Sequence, residues 1–160
     1  MKKLLCLTLC LLLALGAAGC AEKTYAPTGQ LSGDEALDGQ VLALLEELCS
    51  PKETAQENLL HVYDFLCNDI TYRPGTADTS GGFTAELTNR LAAELLSKRK
   101  GNCDSIAALT AVLLRRMGYE AQIVQGTFLR GGTDEPVDHA WVYAVVDGTG
   151  CCFDPLYGSH

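Results

Sequence analysis

The sequence predicts an α+β fold, with a run of helices first and a small antiparallel sheet second. Apolar residues recur at helical spacing in four successive segments up to Met117, and after Gly118 the pattern changes to that of strands. The fourth segment, from about Cys103 to Met117, is apolar or small on nearly every side. A helix of that kind is central and buried, so it is expected to pack against both the other helices and the sheet.

The elements follow in order. Ser32, with Glu35 three residues on, reads as a capping box for a first helix, whose face carries Leu37, Val41, Leu44, Leu45 and Leu48. Ser50-Pro51-Lys52-Glu53 offers an N-cap, a proline at N1 and an acid at N3 for a second helix. Its apolar residues are Leu59, Val62, Tyr63, Leu66 and Ile70, and Tyr72-Arg73-Pro74-Gly75 ends it. Residues 75–82 form a loop. Thr84 opens a third helix through Leu87, Leu91 and Leu95; Lys98, Arg99 and Lys100 suit its C-terminus, and Gly101 its C′ position. In the fourth helix Ile106, Leu109, Leu113 and Met117 form one stripe, Arg115 and Arg116 favour the C-terminal end, and Gly118 caps it. Glu120–Phe128 reads as a strand, 129–138 as a loop and His139–Val146 as a second strand. Asp147-Gly148-Thr149-Gly150 reads as a turn and Cys151–Asp154 as a third strand.

The first residues read as a targeting segment. Lys2 and Lys3 precede an apolar run, Leu4–Leu15, too short for an ordinary membrane span, and small residues then lead to Cys20. Ala17-Ala18-Gly19-Cys20 resembles the lipobox of bacterial lipoproteins, which implies cleavage before Cys20 and a lipid on its thiol. The expected organisation is a signal peptide over 1–19, a lipidated Cys20 and polar tether over 20–31, and one domain over 32–160. Localisation is then exported and extracytoplasmic, with the lipid as the sole membrane contact. Removing residues 1–20 takes two of the 12 basic residues and none of the 20 acidic ones, leaving a net charge of −10. That balance argues against nucleic acid as a partner.

Of eight cysteines, Cys6 and Cys10 leave with the signal and Cys20 is the lipidation site. Cys49, Cys67, Cys103, Cys151 and Cys152 remain, an odd number that fits two bridges plus one reactive thiol, or five reduced thiols. A vicinal Cys151–Cys152 bridge is disfavoured, because bridged Cα atoms usually lie about 4.4–6.8 Å apart and neighbouring ones about 3.8 Å. Bridges from Cys49 and Cys67 to that pair are the alternative.

Cys103, His139 and Asp154, in that chain order, are candidates for nucleophile, base and orienting carboxylate. Cys103 follows Gly101-Asn102 at a helix start, where unpaired N–H groups and the helix dipole favour a thiolate, opposed by Asp104. His139 opens a strand; His61 lies mid-helix and His160 ends the chain. Asp154-Pro155 is also a common strand-ending turn. If the turn pairs Val146 with Cys151, Asp154 falls opposite Tyr143, on the face of His139 but four residues along, on the order of 13 Å. That register needs a shift or bulge before the two can bond.

Gly101-Asn102-Cys103, the helix ending Leu113-Leu114-Arg115-Arg116-Met117-Gly118, Ala121 to Gly126, His139-Ala140-Trp141-Val142 and Phe153-Asp154-Pro155 together resemble the transglutaminase-like superfamily. The resemblance runs from about Leu59 onward. It implies a papain-related α+β fold in which Cys103 attacks an amide or peptide carbonyl, His139 serves as base and Asp154 orients it, with no metal or cofactor. The partner implied is a protein or peptide substrate; a lipid anchor points to envelope proteins or peptidoglycan stem peptides. Hydrolysis and transamidation both remain open, as does a papain-like cell-wall peptidase. The rival reading is a lipid-anchored binding or assembly module that keeps the fold without turnover.

Overall fold

The computed structural model describes residues 25–129 and 135–158. The expected signal segment, Cys20, the start of the tether, residues 130–134 and His160 lie outside the described residues. The α+β fold is as expected. Helices α1 (Glu35–Leu48), α2 (Ala55–Asn68), α3 (Ala85–Lys98) and α4 (Cys103–Arg116) are followed by strands β3 (Glu120–Leu129), β4 (Pro136–Val146) and β5 (Thr149–Phe153). A short helix, α5 (Pro155–Gly158), follows. Two brief strands, β1 (Thr71–Tyr72) and β2 (Lys100–Gly101), pair in parallel on either side of α3. The main sheet is antiparallel in the order β3-β4-β5. Among the described residues no helix is long and apolar enough to cross a membrane.

Helix α4 separates two cores. Ile106, Ala108, Leu109, Val112 and Leu113 join α1, α2 and α3 in one cluster. Ala107, Ala111 and Leu114 face the sheet and meet Ala140, Val142 and Ala144 of β4. The division follows from helical spacing, since 107, 111 and 114 form one stripe. That stripe is mostly alanine, so the sheet comes close to the helix axis.

Several boundaries move for local reasons. The cap of α1 is Asp34, not Ser32: its carboxylate accepts from Ala36 and Leu37 N–H, while Ser32 Oγ instead accepts from Asp34 N–H. The cap of α2 is Thr54, not Ser50, in a complete capping box with Glu57. Ser50 stays outside because the buried Asn58 side chain binds both its N–H and its carbonyl. Helix α3 starts at Thr84 as expected but ends on Arg99, which itself takes the left-handed conformation (φ 53°). Gly101 is therefore not its C′ residue. It pairs in β2, and a Cβ there would lie 2.2 Å from Ser105 Oγ.

In the sheet, β4 begins at Pro136, so His139 lies inside the strand, opposite Gly126, rather than at its mouth. The turn after β4 has only two residues. Asp147 (φ 49°) and Gly148 (φ 77°) carry the paired positive φ values of a type I′ hairpin. Val146 consequently pairs with Thr149, not Cys151. Cys49, Cys67, Cys103, Cys151 and Cys152 are all free thiols, the second of the two arrangements their odd number allows.

The stretch Tyr25–Gln30, expected as tether, is docked on the domain. Gly29 and Gln30 N–H bond the carbonyls of Arg116 and Arg115, and Arg116 Nη1 binds the carbonyls of Pro27 and Gly29. These contacts supply partners for the free carbonyls at the end of α4.

Ala111 is fully buried at the helix–sheet contact. Replacing it with leucine is expected to cost about 1–3 kcal/mol, because the sheet has no room to accept three more carbons. The expected result is a lower urea midpoint with an unchanged m-value; an unshifted midpoint would show that the contact is loose.

Candidate active site

The site is assembled by α4, the start of β4 and the end of β5. Asn102 caps α4, accepting from Ser105 N–H, and so sets Cys103 at the first turn. Cys103 extends the sheet-facing stripe of Ala107 and Ala111 by one helical turn. It thereby meets β4, where the Ala140 N–H approaches its sulfur. His139 precedes that contact in β4. Cys103 and His139 line one cleft of about 440 Å³, together with Asp104, Gly126, Asp138 and the 75–77 segment. No hydrogen bond joins Cys103 directly to His139 among the described residues.

His139 Nε2 lies 2.7 Å from Asp154 Oδ2. The register explains this contact. With Val146 opposite Thr149, the ladder places Phe153 opposite Val142, so Asp154 continues opposite Trp141. The offset from His139 is two residues rather than four, and side-chain parity is kept. The Asp154 carboxylate also serves its turn, since Oδ1 accepts from Leu156 N–H while Oδ2 holds the imidazole. Turn residue and imidazole partner are thus the same side chain.

Aromatic rings confine His139, whose side chain is only 6% exposed. Trp141 stacks on it at 6.0 Å between centroids, and Phe128 and Tyr157 meet it edge-on. Gly126 makes the stacking feasible, since a Cβ there would lie 2.8 Å from the Trp141 ring. Tyr63 was expected only as part of an apolar helix face, yet its hydroxyl donates to the Asp154 carbonyl and its ring meets Phe153 edge-on. Burial pushes the Tyr63 hydroxyl up to about 12, so it remains a donor across ordinary pH. A tyrosine among apolar positions at helical spacing was the one available signal, and it does not distinguish core from anchor.

The Cys103 thiol differs from the helix-terminus expectation. Burial first, and the Asp104 charge second, push it above its ordinary value; the N–H groups of Ala140, Asp104 and Cys103 itself pull the other way. Burial and Asp104 outweigh those N–H groups, so this thiol is harder to ionise than a free one. Asp104 is held in place by its own bonds, accepting from Ala77 N–H and Asn102 Nδ2. Among the described residues no group of three or more His, Cys, Asp or Glu is disposed to hold a metal ion.

Two solved structures share this fold. A candidate cysteine protease from Cytophaga hutchinsonii is 21% identical, with a TM-score of 0.55 over 74% of this chain. The ethylmercury-bound periplasmic domain of TgpA from Pseudomonas aeruginosa is 22% identical, with a TM-score of 0.56 over 81% of this chain. The chain spans 37% of the first and 47% of the second. Among curated proteins none matches. The sequence model of the transglutaminase-like superfamily matches residues 42–155, more than half of the chain and a span that includes Cys103, His139 and Asp154. On that match the chain belongs to the transglutaminase-like superfamily.

Proposed function

We propose that this protein is a thiol acyltransferase or peptidase acting on amide or peptide bonds through Cys103, His139 and Asp154. The observation that carries this reading is the 2.7 Å contact between His139 Nε2 and Asp154 at a cleft shared with Cys103. With Nε2 donating to the carboxylate, Nδ1 is the nitrogen free to accept a proton. The Cys103 S–H proton passes to Nδ1 as the sulfur attacks the carbonyl carbon. The tetrahedral adduct then collapses, the C–N bond breaks, and His139 returns the proton to the leaving amine. Water or an acceptor amine, deprotonated by His139, attacks the thioester and releases Cys103. Asp154 holds the ring and stabilises its cationic form.

The raised thiol value fits proton transfer during attack better than a standing thiolate. We place the protein outside the cytoplasm on a lipid at Cys20. The Ala17-Ala18-Gly19-Cys20 sequence supports this, as does likeness to a domain that is periplasmic in its own organism. Envelope proteins and peptidoglycan stem peptides are the substrates such a location offers.

Replacing Cys103 with serine is expected to reduce acyl transfer from glutamine or stem peptides by on the order of 10³-fold or more. Its urea midpoint should stay close to that of the parent; a folded variant that keeps activity would falsify the nucleophile assignment.

Alkylation of Cys103 by iodoacetamide across pH tests the pair separately. In His139→Ala the rate should follow a single titration above the ordinary thiol value of about 8.5, because burial and Asp104 outweigh the nearby N–H groups and no base remains to take the proton. The parent should react faster at neutral pH. Identical profiles would remove the basis for catalysis and favour a binding module.

Cys20→Ala should move the expressed protein from the membrane fraction to the soluble one. Unchanged partitioning would end the lipid-anchor reading.

A further inference from the structure

Beside the candidate cleft lies a second groove, of about 400 Å³, with the opposite charge. Arg73, Arg90, Lys98 and Lys100 line it, against two carboxylates, Asp78 and Glu94. Its floor is apolar, made by the buried Leu91 and Leu95. In a chain of net charge −8, this gathers a third of the basic residues in one concavity. The neighbouring cleft instead presents Asp104 and Asp138.

The fold places the two side by side. Gly75, Thr76 and Ala77 line both, forming a rib between them. The rib is fixed to the start of α4, where Asn102 Nδ2 binds the Gly75 carbonyl and Asp104 accepts from Ala77 N–H. Asn102 lines the groove and Cys103 the cleft, so one peptide unit separates them. The β1–β2 pairing adds the cations: Thr71 pairs with Lys100, and Arg73 N–H bonds the Gly101 carbonyl. Glu94 is shared between Arg90 at 3.5 Å and Lys98 at 3.3 Å. Arg73 and Lys100 have no ion-pair partner among the described residues.

We propose that this groove is a substrate subsite that receives a carboxylate carried by the peptide whose carbonyl Cys103 attacks. The inference rests on the acyl-transfer reading of the adjacent cleft. Arg73 and Lys100 supply the uncompensated charge, and the apolar floor accepts the aliphatic part of an acidic residue. Asp104 and Asp138 disfavour the same carboxylate in the cleft, so charge fixes which end of the substrate crosses the rib. The preferred substrates are therefore acidic peptides, with the acidic group next to the reacting amide.

The test uses two affinity labels with amidated C-termini that differ only in the side-chain charge, bromoacetyl-Gly-Glu-amide and bromoacetyl-Gly-Gln-amide, with Cys103 modification followed by intact mass. The parent is expected to react about fivefold faster with the acidic label, the scale of two exposed ion pairs. The preference should shrink as salt rises from about 0.02 M to about 0.3 M. In Arg73→Gln/Lys100→Gln the ratio should approach one, and in Arg73→Lys/Lys100→Arg it should persist. Taking the ratio cancels any change in the thiol itself. Iodoacetate against iodoacetamide, both too short to cross the rib, should show no preference for the anion. An acidic-label ratio near one in the parent, a preference surviving the double Gln variant, or an equal preference for iodoacetate overturns the subsite. Failure of the catalytic reading appears elsewhere, as iodoacetamide labelling indifferent to His139→Ala.

Discussion

The close approach of α4 to the sheet is the contact on which the rest of the structure depends. One helix serves two cores because its large and small residues are segregated. Ile106, Leu109 and Leu113 fill the space among the other helices, and Ala107 and Ala111 let β4 lie near the helix axis. Cys103 stands at the N-terminal end of the small-residue stripe, so the packing that stabilises the domain also brings its sulfur to the β4 backbone beside His139. A bulkier stripe would move the strand away and separate the two groups without altering either. Interiors packed at close to crystalline density transmit such shifts rather than absorb them.

The second constraint is the tight turn at Asp147-Gly148. Two residues with positive φ close the hairpin and bring Asp154 within reach of His139. A four-residue turn would leave the same residues on the same face but several ångströms too far apart. Tyr63 then ties the end of β5 to α2, joining the helical layer to the histidine's partner through one hydroxyl. The imidazole is fixed by the carboxylate at one nitrogen and by three aromatic rings around its plane and edges. Positioning on this scale is what the proposed role of His139 as a base would require.

Much of this was legible in the residues, and the failures have a common form. Helix existence, the central place of α4 and the shared face of His139 and Asp154 follow from periodicity, which is a property of the chain itself. Caps were misplaced where two candidates compete within a few residues. Asp34 displaced Ser32, and Thr54 displaced Ser50 because Asn58, eight residues on, claims the Ser50 backbone. The β1–β2 pair was invisible, because strands this short carry no period and exist only through their partner. The aromatic enclosure of His139 and the anchoring by Tyr63 depend on which elements meet, and local spacing does not encode that. The hairpin register turned on Asp147-Gly148 alone, a strong two-residue signal diluted by the Thr149-Gly150 that follows it.

The chemistry of Cys103 follows from a balance of costs. A helix N-terminus favours a thiolate, yet burial and Asp104 together outweigh it. Asp104 therefore works against the sulfur while holding the rib through Ala77 and Asn102. Removing that carboxylate would ease ionisation and release the partition between cleft and groove. Under the proposed acyl transfer a standing thiolate is not needed, because a base within the cleft takes the proton when the sulfur attacks. His139, held by Asp154 and lining the cleft of Cys103, is the base that proposal names.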